Sequence, residues 1–121
     1  MECLQRWADE ETAAARAALP VEVRRQVESV PVVCDWEPAP ELVADGVEPD
    51  TLGLFVGADF VHQTDGQGEL PPQILLFLGP LWEESGRSER RFRVEVRRTI
   101  WHEIGHYLGW DESDLAARGL E

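Results

Sequence analysis

The chain has 121 residues, of which 43% are hydrophobic and 29% charged, with a formal net charge of −13. It is too apolar to be disordered and long enough for one hydrophobic core, so a single domain over residues 1–121 is expected. The acidic balance disfavours nucleic-acid backbones and anionic membrane surfaces as partners.

Residues 2–18 are rich in Ala, Glu and Arg, with Leu4 and Trp7 on an apolar face, and read as a first helix. Pro20 stops it and suits the start of a second, in which Val23, Val27 and Val30 recur at helical spacing until Pro31. Val32, Val33 and Trp36 read as a short strand bounded by prolines, and residues 39–45 as one helical turn before Gly46. The run from Leu52 to Gly57 is a second strand, with Phe60 and Val61 as the start of a hairpin partner. Residues 64–72 combine Gly, Asp and Pro into a turn or exposed loop. Ile74–Leu78 is the strongest strand, apolar on both faces and so expected to be well covered, with Gly79-Pro80 closing it. A further loop is expected from Glu83 to Ser88.

From Ser88 to about Leu108 the pattern is helical. Phe92, Val96, Ile100, Ile104 and Leu108 form a stripe, Ser88 is a candidate N-cap, and Gly109 marks the end. All eleven basic residues are arginine, and Arg87, Arg90, Arg91, Arg93, Arg97 and Arg98 crowd into this stretch, whereas residues 1–60 carry thirteen acids against four arginines. The cluster is read as a solvated helix face balancing nearby carboxylates, with an acidic partner as the alternative. Cys3 and Cys34 do not form a C-x-x-C pair and are read as free thiols. The charged N-terminal residues do not resemble a signal peptide, and no segment has the length of a membrane span, so a cytoplasmic location is expected.

Within the long helix lies His102-Glu103-Ile104-Gly105-His106, the H-E-x-x-H pattern. Residues four apart on a helix have Cβ atoms about 5–6 Å apart, so the two imidazoles can converge on one ion at roughly 2.0–2.1 Å each. Glu103 is rotated about 100° from His102, beside such an ion without being forced to ligate it. His102 lies about 200° around the axis from Ile100, so the histidines fall away from the apolar stripe. Zinc suits the donors best, although cobalt, nickel or manganese could also occupy them.

The span continues to H-E-x-x-H-x-x-G-x-x-E at Glu112. Gly109 lets the backbone leave the helix sharply, so that Glu112, or its neighbour Asp111, could supply a third ligand and leave one position for water. The competing role for these acids is capping: Asp111 or Ser113 could start a last helix over 112–118, with Asp114 supporting its first turn. Glu112 is preferred as the ligand. His62 is read as a surface residue, with ligand or oxyanion stabiliser as alternatives. Tyr107 is read as packing against the sheet, with oxyanion donor as the alternative.

On these residues the chain resembles the zincin metallopeptidases, and closely a family of small bacterial minimal zincin-like proteins. The likeness runs from about Val30 onward and includes PAPELVADG, TLGLFVG, ILLFLGPL and VRRTIWHEIGHYLGWDE. It implies an α+β fold, a small mixed sheet packed on helices with the motif on the long C-terminal helix. It implies His102 and His106 as metal ligands, Glu103 as base, and a peptide bound alongside the Ile74–Leu78 strand. Metzincins carry a third His where this chain has Glu112, and the only Met here is Met1. The expected activity is zinc-dependent hydrolysis of a peptide or protein substrate. The alternatives are a metal-binding module without catalysis and a metal-free interaction module, the latter disfavoured because a purely structural role does not require Glu103.

Overall fold

The computed structural model describes residues 2–57 and 71–119. In chain order the elements are α1 (Glu2–Ala17), α2 (Val21–Val27), β1 (Val32–Asp35), α3 (Pro40–Ala44), β2 (Gly53–Val56), β3 (Gln73–Phe77), α4 (Leu78–Glu84), α5 (Glu89–Leu108) and α6 (Glu112–Ala117). The architecture is mixed α+β, a three-stranded sheet packed against helices, with the His-Glu-x-x-His segment in α5. Phe60, Val61, His62 and most of the 64–72 turn lie outside the described residues.

The strand order is β1-β3-β2, with β3 parallel to β1 and antiparallel to β2. The central place of β3 agrees with its composition. Ile74, Leu76 and Phe77 are fully buried, as expected for a strand covered by neighbours on both edges and by helices. Those same neighbours correct one expectation. A peptide has no free backbone edge on β3 to pair with, and the strand that borders His102, Glu103 and His106 is β2.

A second correction concerns Gly79-Pro80, which does not close a strand into a loop. The chain passes directly from Phe77 into α4. Proline is tolerated there because a first-turn N–H needs no helical partner. Gly79 is required by close approach, since a Cβ at that position would lie 2.9 Å from the Trp36 ring and backbone oxygen. The Gly79 N–H donates to Trp36 O at 2.8 Å, tying α4 to the end of β1. Leu78 and Leu81 face the core, and this spacing of buried residues was masked in the sequence by the Gly-Pro pair.

The stripe of α5 is buried as its period requires from Phe92 to Ile104, with Leu108 partly buried at the helix end. Phe92, Val96 and Ile100 are fully enclosed and Ile104 nearly so. Ser88 caps the helix, its hydroxyl accepting from the Arg91 N–H. Phe92 sits edge-on to Trp7 of α1 and Trp82 of α4, with ring centroids 6.1 and 5.9 Å away. This aromatic cluster joins three helices, so Phe92→Ala should cost about 3–5 kcal/mol of unfolding free energy, measured by urea denaturation.

Arg93 and Arg97 of α5, and Arg87 just before it, balance carboxylates as expected. Arg93 contacts Glu10, Glu11 and Glu89, Arg97 contacts Glu11 at 2.8 Å, and Arg87 contacts Glu83 at 2.8 Å. Trp101 donates from its indole nitrogen to Ala15 O, a second tie between α1 and α5. Arg16 donates to the carbonyls of Val27, at the end of α2, and Val30 beyond it. Cys3 and Cys34 are both free thiols. No helix among the described residues is long and apolar enough to cross a membrane.

Candidate metal centre

His102 and His106 occupy consecutive turns of α5, on the side turned away from its buried stripe. Their rings lie 4.4 Å apart between centroids, and their side chains are 41% and 52% exposed. Between them Glu103 turns inward and is only 5% exposed. Ligand atoms of the three residues lie within 4.8 Å of one another, a cluster capable of coordinating a metal ion. Two bonds of 2.0–2.1 Å span roughly 4 Å, so His102 and His106 stand close enough to share one ion. Imidazole and carboxylate donors together fit zinc by chemistry.

A buried carboxylate needs partners. Glu103 Oε1 accepts from the Phe55 N–H of β2 at 2.8 Å and lies 3.2 Å from His106 Nδ1. The carboxylate therefore links α5 to the sheet as well as facing the histidines. This corrects the expectation that a structural role would not require Glu103, because one backbone donor of β2 depends on it. The partners are 48 positions apart in the chain, and no local sequence signal could have paired them.

The approach of β2 is permitted by Gly53. A Cβ there would lie 2.4 Å from Thr99 Cγ2 and 3.1 Å from Leu75 O. Only a residue without that atom lets the strand lie so close to α5, and Gly53 was not singled out among the sequence's site candidates. Tyr107 is buried and its ring lies 5.4 Å from Phe55, which is the packing role expected for it.

After the motif, Gly109 takes a left-handed conformation at φ 78°, and Trp110 N–H donates back to Gly105 O at 2.7 Å while Gly109 N–H reaches His106 O at 3.2 Å. This pair of bonds is a Schellman ending, and it reverses the chain as the glycine predicted. Asp111 then caps α6. Its side chain accepts from the Asp114 N–H, and the Asp114 carboxylate accepts from the Asp111 N–H. With Asp111 engaged in the cap, Glu112 is the acid that approaches the histidines, its Oε1 3.1 Å from His102 Nδ1. Gly105 assists, since a Cβ there would lie 3.2 Å from Leu115 Cδ2, on the buried side of α6.

His102, Glu103 and Glu112 line a cavity of about 510 Å³ together with Leu52, Gly53, Arg98, Thr99 and Leu115. A sheet laid against a long helix, with His102, Glu103 and His106 clustered so that they could hold a metal ion and with His102 and Glu103 at a cavity, is the arrangement of a zincin-like fold. The zincin-like metallopeptidase family matches residues 27–120, and the chain belongs to that family. No curated protein sequence matches the chain.

Proposed function

We propose that the chain is a zinc-dependent peptidase in which His102, His106 and Glu112 hold the metal and Glu103 is the general base. The observation that carries this reading is the convergence of Glu112 on His102 at 3.1 Å, beside a cavity that a peptide could enter. A bound zinc ion would supply Lewis-acid polarisation of the scissile carbonyl and acidify the attacking water. The chain's own part is to position and to move a proton. The Phe55 N–H holds Glu103 Oε1, which fixes the carboxylate plane and leaves Oε2 to take the proton of water and return it to the leaving amine.

The proposed substrate is a peptide or protein, and the proposed setting is a single domain in the cytoplasm. A second reading has an observation of its own: the Glu103–Phe55 bond is what a metal-binding module without catalysis would also need to brace its sheet.

Metal content by mass spectrometry tests the ligand set. One zinc per chain is expected in wild type after zinc loading, lost in His106→Ala, weakened in Glu112→Ala and retained in Glu103→Gln. Wild-type protein that takes up no stoichiometric metal would remove the basis for hydrolysis.

A further inference from the structure

One side chain in the cavity wall has no part in the metal cluster or in the base chemistry. Arg98 lies four residues before His102 on α5, on the same helix face with Cβ atoms about 5–6 Å apart, and both side chains line the cavity. It is the sole arginine in the described wall. Its situation differs from that of Arg87, Arg93 and Arg97, which meet carboxylates at 2.7–3.0 Å. Among the described residues the carboxylate that Arg98 reaches is Glu95, at 3.5 Å, with the arginine side chain 58% exposed, and Glu95 does not line the cavity. An exposed contact of that length is weak and readily exchanged for a better acceptor.

The charges of the wall indicate what that acceptor is. A divalent ion at the cluster would balance the carboxylates of Glu103 and Glu112, and neutral imidazoles add nothing. Arg98 then leaves the described part of this wall positive in a chain whose net charge is −13. A guanidinium presents paired N–H donors that match a carboxylate in a bidentate fork. Along the axis, four residues of helix rise about 6 Å, a distance that an extended peptide covers in about two residues.

From this we infer that Arg98 is the specificity-determining residue of the cavity, taking a carboxylate of the peptide within about two residues of the bond presented to His102 and His106. The carboxylate is either the peptide's own C-terminus or an Asp or Glu side chain. The inference rests on the peptidase reading for the position of the bond, whereas the recognition itself is readable by binding alone.

The test uses N-acetylated Ala/Leu hexapeptides in matched pairs: free acid against C-terminal amide, and Glu against Gln at each position. Hydrolysis is followed by mass spectrometry with zinc-loaded wild type, and affinity by calorimetry with zinc-loaded Glu103→Gln. Removing the recognised carboxylate should lower kcat/KM roughly tenfold or more, through KM, and weaken binding by a similar factor. Loss on amidation identifies the C-terminus as the source, and loss on Glu-to-Gln exchange identifies a side chain. Arg98→Gln should erase the preference, Arg98→Lys should keep part of it, and Arg98→Glu should favour Lys-containing peptides, with unchanged melting temperatures as the folding control.

Equal treatment of both members of every pair overturns the inference, as does a preference undiminished in Arg98→Gln or an absence of binding by every peptide. Arg98-dependent binding of the carboxylate members without any hydrolysis by wild type would uphold the recognition and defeat the peptidase reading.

Discussion

Glu103→Gln is expected to lower peptide hydrolysis by roughly 10²–10⁴-fold while leaving the fold and the bound zinc in place. The amide oxygen of glutamine can still accept from the Phe55 N–H, so the link between α5 and β2 that holds at 2.8 Å survives the exchange. What disappears is the carboxylate's capacity to take a proton from water. Glu103→Ala differs because it also removes the acceptor and leaves the Phe55 N–H without its side-chain partner, at a cost of about 1–3 kcal/mol in stability. Comparing the two variants by activity and urea denaturation separates the two jobs of this residue. Full activity in Glu103→Gln would show that the base lies elsewhere. Inactivity of wild type, with Glu103→Ala destabilised, would assign Glu103 to bracing alone.

Gly53→Ala should damage the site from a distance, through the backbone of β2. The added methyl would meet Thr99 Cγ2 at 2.4 Å, far inside van der Waals contact, and Leu75 O at 3.1 Å. Thr99 is buried, and as a β-branched residue on a helix it has few rotamers into which it can retreat. The strand must therefore move away from α5, stretching the Phe55–Glu103 bond and loosening the carboxylate. Overpacking of this kind costs about 1–3 kcal/mol, visible as a lower urea midpoint. Activity should fall with it, because a base misplaced by a fraction of an ångström transfers protons poorly. Thr99→Ser removes the offending methyl and should restore most of the loss in the double variant, a coupling expected only for residues in direct contact. An additive double variant would place the strain elsewhere.

Much of this molecule was legible because its determinants are local. The stripe from Phe92 to Leu108, the Ser88 cap, the Gly109 ending and the i, i+4 histidines each depend on residues within a turn or two of one another. The period of the helix settles their mutual placement before any long-range contact forms. The apolar run Ile74–Leu78 likewise announced a covered strand, and β3 (Gln73–Phe77) is the centre of the sheet, with Leu78 already in α4. The helix α4 was hidden because Gly79-Pro80 resembles a terminator, although the pair here serves a close approach to Trp36 and a first helical turn.

Local chemistry also narrowed the choice between Asp111 and Glu112 without deciding it, since either residue has atoms suited to a cap or to a metal. In the fold Asp111 and Asp114 exchange reciprocal bonds and Leu115 packs against Gly105, while Glu112 lies 3.1 Å from His102, and metal content of Glu112→Ala is the test of its role as a ligand. By itself, then, the sequence determined the helix that carries the donors and the spacing that brings His102 and His106 together. Only the tertiary structure decided that Glu103 is held by β2, that Gly53 permits that contact, and that Arg98 shares a cavity with the cluster. Those relations join segments far apart in the chain, and they form only when burial of the sheet against α5 brings the segments within bonding distance.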